Sequence, residues 1–125
     1  VIDALGLTKL VYNLNILSQN AALAAMDYAD EILAHNIPPT LAARQHFMDA
    51  LKDVPNLTVY PSATNFVLVR VPDGPAMVKA LHDADICVRS YKAADLKNCL
   101  RITITTDDVV RRVVAVMTEE AKKYA

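Results

Sequence analysis

CLRITITT, residues 99–106, decides the fold. Leu100, Ile102 and Ile104 alternate with Arg101, Thr103 and Thr105. A period of two marks a strand with one face against a core and the other free. Arg101 therefore falls on the polar face, beside threonines. The pattern leaves two readings of it open: a solvated surface charge, or a guanidinium aimed at an anion.

The neighbouring stretches supply the frame. Thr106 is placed to cap a helix over 107–123, with Asp107 and Asp108 in the first turn, where the helix dipole favours carboxylates. Val109, Val110, Val113, Val116 and Met117 form its apolar stripe. On the other side, YKAADLKN (91–98) reads as a polar loop and ICVRS (86–90) as a further strand carrying Arg89 near its end. If these two strands are antiparallel neighbours joined by that loop, Arg89 and Arg101 share one end of the sheet. Each could then fork two donors onto a carboxylate or phosphate.

A helix over about 75–84, with Val78 and Leu81 inward, follows the turn PDGP (72–75). LTVY (57–60) and NFVLVRV (65–71) read as strands from their β-branched and aromatic content. The first third is helical: a short piece over 1–10, a helix over 16–35, and another over 41–53. NIPPT (36–40) is expected to separate the last two, because proline lacks an amide donor and restrains its predecessor. Thr40 would cap the second of them. The order is α-α-β-β-α-β-β-α. That reads as α+β: a small, mostly antiparallel four-stranded sheet with helices on one face, preceded by a long helix.

The helix over 16–35 is apolar nearly all round, with six alanines between 21 and 34. Such a helix is usually buried between two layers, so something beyond this stretch is expected to cover it. The chain begins Val1-Ile2-Asp3 rather than with methionine, which fits a piece of something longer.

Composition narrows the function classes. The chain has 125 residues and is 54% hydrophobic, enough for one domain with a real core. Thirteen basic against fourteen acidic residues leave no basic excess for nucleic acid or a membrane surface. No apolar run approaches the length of a membrane span and no signal peptide is visible. Cys87 and Cys99 read as two buried thiols. His35, His46 and His82 are scattered on helices without ligand spacing, so no metal is expected. Only Gly6 and Gly74 are glycines, so no glycine-rich phosphate cradle exists. The carboxylate pairs Asp30-Glu31, Asp107-Asp108 and Glu119-Glu120 fall on helix surfaces or starts. Residue spacing alone yields no catalytic constellation.

In this order and spacing, VYNLN (11–15), YPSATNFVLVRV (60–71), VRS (88–90) and CLRITITT (99–106) resemble the C-terminal part of the histidinol-phosphate aminotransferases. These are fold-type-I, pyridoxal-phosphate-dependent aminotransferases. The resemblance covers essentially the whole chain. It implies a small α+β domain over 37–125 preceded by an interdomain helical segment over 1–36. It implies that Arg101, in LRIT, binds a substrate α-carboxylate, and that Arg89 serves the phosphate side. Asn13, Asn15 and Asn65 fall on family positions and would be structural or edge the pocket. The chain departs from the family at Val11, where proline is usual, and at Ile104-Thr105-Thr106, where Val-Gly-Thr is usual.

The resemblance also implies pyridoxal 5'-phosphate in the complete enzyme, held as a Schiff base on a lysine. Lys9, Lys52, Lys79, Lys92, Lys97, Lys122 and Lys123 match none of the family's lysine motif. This chain would then hold no cofactor covalently and no catalytic residue. The implied reaction is transamination between histidinol phosphate and 2-oxoglutarate in histidine biosynthesis. Its implied partners are an amino-acid or phosphorylated amino substrate, a 2-oxo acid, an N-terminal cofactor domain and a second subunit, in the cytoplasm. Three alternatives stand: an aminotransferase for aromatic or other amino acids, a stand-alone amino-acid-binding module without catalysis, and a purely structural fragment with no binding.

Overall fold

The computed structural model describes residues 2–8 and 14–125. Its contacts divide the chain into two units, Val1–His35 and Asn36–Ala125. The first unit holds α1 (Ile2–Thr8), α2 (Ile16–Met26) and the opening of α3 (Ala29–Leu51). Asn15 caps α2, its side-chain oxygen accepting from the Ser18 amide at 2.9 Å. No residue of α2 is buried. Leu17, Leu23, Met26 and Tyr28 are all exposed.

Two expectations for this region are corrected. The helix expected over 16–35 is two helices. It breaks after Met26, where the Asp27 amide closes onto the Ala24 carbonyl and the Tyr28 amide onto the Ala25 carbonyl. Asp30 and Glu31 then occupy the first turn of α3, where carboxylates favour a helix start. Conversely, NIPPT does not end a helix. Pro38 and Pro39 lie inside α3, which continues to Leu51. Thr40 is no N-cap there; its hydroxyl donates to the Asn36 carbonyl one turn back, at 2.9 Å. Beyond the prolines, Ala43, Phe47 and Leu51 are buried. That packing offsets an interior proline cost of about 3 kcal/mol.

The second unit holds β1 (Thr58–Val59), β2 (Phe66–Arg70), α4 (Gly74–Asp83), β3 (Arg89–Ser90), a 3₁₀ turn (Ala94–Leu96), β4 (Cys99–Thr103) and α5 (Asp107–Lys122). The strands form one sheet in the order β1-β2-β4-β3, with every neighbour antiparallel. The α+β architecture expected from the sequence is the one found. β2 and β4 make the central ladder, Phe66 facing Thr103 and Leu68 facing Arg101. Val67, Val69, Leu100 and Ile102 point to one side, continued by Val71 and Ile104, and all six are buried. Phe47 and Leu51 of α3, Met77 and Leu81 of α4, and Val110, Val113 and Met117 of α5 complete that core. In this unit the helices therefore pack on one face of the sheet.

β3 is shorter than its apolar run suggested. The Ile86 amide bonds back to the Leu81 carbonyl at 2.9 Å, and Asp85 takes a φ of 59°, so the chain is still leaving α4. Ile86 and Val88 pack on the core without joining the ladder. This also corrects the expectation of two buried thiols. Cys99, inside the ladder, is buried, whereas Cys87, ahead of it, is exposed.

Asn98 fixes the entry to β4. Its side chain accepts from the Gly74 amide at 3.2 Å and donates to the Pro72 carbonyl at 3.1 Å. Its own carbonyl accepts from the Val71 amide at 2.9 Å. Gly74 is required there, because a Cβ would lie 2.9 Å from the Lys97 carbonyl. Among the described residues no helix is long and apolar enough to cross a membrane.

Candidate functional site

The face of the sheet opposite the core carries the charge. Strand alternation places Phe66, Leu68 and Arg70 of β2 there, with Arg101 and Thr103 of β4 and Arg89 of β3. Arg89 and Arg101 are direct register partners. The shared sheet end expected from the sequence is thus a cross-strand pair. Like charges opposite one another are destabilising by themselves.

Arg101 is half-buried. Its Nε is closed off from solvent and has no hydrogen-bond partner, the one buried side-chain nitrogen or oxygen so left among the described residues. Leaving a buried donor unmet costs about 1–3 kcal/mol. The guanidinium carbon sits 5.2 Å from the centroid of the Phe66 ring. With Nε closed, the terminal nitrogens are the edge that can meet a ligand. The acidic residues in ion pairs face other partners: His46, Lys52, Lys79, Arg111, Lys122 and Lys123. Among the described residues no carboxylate answers Arg101 or Arg89. Two cations held side by side without a described counter-charge have the chemistry to meet an anion.

Arg70, on the same face, is occupied. Its Nε donates to the Tyr60 hydroxyl at 3.1 Å and its Nη2 to the Asp95 carbonyl at 3.3 Å. The Tyr60 bond is the main reason its pKa is raised. Arg70 thereby ties the 91–98 loop to the sheet.

The three asparagines fall in different places. The Asn65 carbonyl extends the central ladder by accepting from the Ile104 amide at 2.8 Å. Asn65 also borders a shallow hollow of about 360 Å³ with Thr40, Leu41 and Arg44. Neither Arg101 nor Arg89 lines that hollow. Asn15 belongs to the first unit, where its side chain is spent on capping α2. Asn13 lies outside the described residues.

The described lysines do not fit a Schiff-base seat. All are exposed, and Lys52, Lys79, Lys122 and Lys123 pair with Asp49, Asp83, Glu119 and Glu120. Lys9 lies outside the described residues. Among the described residues no group of three His, Cys, Asp or Glu could hold a metal. What these residues can do chemically is bind and orient an anion.

Sequence reasoning missed Phe66 and Leu68 as parts of this site. Their alternation in NFVLVRV put them on one face, but only the β2–β4 register puts that face beside Arg101.

Comparison with known proteins agrees with this architecture. No family model matches the chain. A histidinol-phosphate aminotransferase from Ruminiclostridium cellulolyticum is 35% identical over 106 residues, which is 84% of this chain and 29% of that protein. A candidate aminotransferase from Burkholderia pseudomallei superposes with a TM-score of 0.75 at 30% identity, over 96% of this chain and 37% of that one. The histidinol-phosphate aminotransferase of Sinorhizobium meliloti, solved with pyridoxal-5'-phosphate, gives a TM-score of 0.64 at 31% identity, over 84% of this chain and 28% of that one. The chain is the counterpart of the small domain of fold-type-I, pyridoxal-phosphate-dependent aminotransferases. Within that class its sequence relatives are the histidinol-phosphate aminotransferases. It spans 29% of the length of the Ruminiclostridium relative.

Proposed function

We propose that this chain is the substrate-anion-binding part of an aminotransferase that exchanges an amino group between histidinol phosphate and 2-oxoglutarate. The observation that carries the reading is the Arg101–Arg89 register pair, with the Arg101 Nε buried and unpartnered. Arg101 takes the α-carboxylate of 2-oxoglutarate, or of the amino acid formed from it, end-on through its terminal nitrogens. Arg89, across the ladder and exposed, adds its charge when the anion is a phosphate, whose greater charge needs more than one fork. Pyridoxal phosphate supplies the amino-transfer chemistry, on residues beyond those described here. Arg101 and Arg89 hold the substrate still beside it and take no proton. The relatives' activity and their length relative to this chain support placing it inside a larger enzyme, which we read as a cytoplasmic homodimer.

The test is the Arg101→Ala variant of the full-length enzyme. A charge-assisted bidentate pair contributes about 1.5–3 kcal/mol. Amino-acid use should therefore fall by about tenfold to about two-hundredfold in kcat/KM. Arg101→Lys should recover only part, since an ammonium is a point charge and not a fork. Unchanged kinetics in Arg101→Ala would remove the anion-fork assignment.

A further inference from the structure

We propose that Phe66 is the positioning residue for Arg101, holding the guanidinium plane so that its terminal nitrogens face the substrate anion. The proposal rests on the anion-fork reading above and adds a residue to it.

Three observations carry it. The ring centroid is 5.2 Å from the Arg101 guanidinium carbon, inside the roughly 6 Å range in which a cation is drawn to an aromatic face. The register explains the meeting: Phe66 pairs with Thr103 and Leu68 with Arg101, so Phe66 is the diagonal neighbour of Arg101 on the face opposite the core. Aromatic side chains reach across that diagonal. Finally, the Arg101 Nε is shut away without an acceptor, so no hydrogen bond from that nitrogen fixes the guanidinium plane.

The choice of residue type has a physical reason. Arg89 directly opposite repels the Arg101 guanidinium, and no described carboxylate stands between them to fix it. An acidic residue at position 66 would hold Arg101 firmly but neutralise it and use its donors. An aromatic face holds the charge and leaves every terminal donor for the ligand. A fork fixed beforehand loses less freedom on binding, which is where the affinity comes from. The anion is gripped equally in the ground state and in the transition state. Loss of positioning should therefore appear in KM and leave kcat nearly unchanged.

The experiment is a double-mutant cycle in the full-length enzyme, using F66L, F66Y, R101K and F66L/R101K, with R101A as control. F66L keeps the apolar bulk and removes the aromatic face; F66Y keeps the face. F66L should raise KM for both the amino donor and the 2-oxo acid by about threefold to tenfold, with kcat within about twofold. F66Y should stay near wild type. In the R101K background F66L should cost little more, since the two changes act through one group. Equal losses in F66L and F66Y, or strict additivity with R101K, would overturn the proposal. If R101A changes nothing, the anion fork itself is wrong and Phe66 falls with it. If R101A is impaired and the cycle is additive, the fork stands and Phe66 is only structural. Should F66L fail to accumulate as folded enzyme, F66M takes its place in the same cycle and decides by the same criteria.

Discussion

The two faces of the sheet are built from the same strands and obey opposite rules. On one, Val67, Val69, Val71, Leu100, Ile102 and Ile104 are at most 4% exposed beneath three helices. On the other, Phe66, Leu68 and Arg101 are half-buried and Arg70, Arg89 and Thr103 exposed. The first face is satisfied within the unit. The second carries a cross-strand pair of like charges and a buried donor without a partner. Stability and the proposed binding are thus separated by a period of two along β2 and β4. A change on one face should leave the property of the other largely intact.

The harshest way to break this separation is on the covered side. Leu100→Ala, at a position 0% exposed, should cost about 2–5 kcal/mol in denaturant unfolding. Enzyme that still folds should keep its KM for the amino substrate; a large KM change would mean the faces are coupled. Next comes Arg101→Ala, with the kinetic loss given above and little change in unfolding midpoint. A fall in stability comparable to that of Leu100→Ala would make Arg101 a structural residue. Arg89→Ala should weaken a phosphorylated substrate more than an unphosphorylated one, by about threefold to tenfold. Equal losses on both would remove its phosphate role.

The smallest effect concerns the helices that cover the core. Asp107, at the start of α5, bonds to His46 of α3 and to Arg111 at 2.8 Å. The His46 bond, then Arg111, holds the Asp107 carboxyl below its usual range. A depressed carboxylate contributes stability above the ordinary Asp pKa of about 3.9 and loses it as pH falls through the lowered value. The melting-temperature gap between wild type and Asp107→Asn should therefore be full at neutral pH and close as the solution is acidified below that range. A gap independent of pH would show that the carboxylate charge is irrelevant there.

The alternation of CLRITITT was sufficient to read its two faces, and the polar loop between the strands carrying Arg89 and Arg101 left their pairing as a condition, which the register meets. Local pattern governs such features, so they are visible in one chain. The path of α3 was not visible. Proline reports a local cost, whereas Phe47 and Leu51 pay it back through contacts with distant strands. The break at Asp27 was hidden because an alanine-rich run has no distinct face to lose. Phe66 was hidden for a different reason: its partner is 35 positions away, and only the strand register makes them neighbours.

Gly74 gives this arrangement a point of failure far from any charge. Its lack of a side chain admits the Lys97 carbonyl and the Asn98 amide, which together set the residue at which β4 begins. Strand position is a parity: moved by one residue, every side chain exchanges faces. Arg101 would then be driven into hydrocarbon and Leu100 or Ile102 would stand where the anion is read. On the proposed reading, the specificity of the site is inherited from a turn that never touches it, and a single methyl group at that turn threatens recognition through alignment alone.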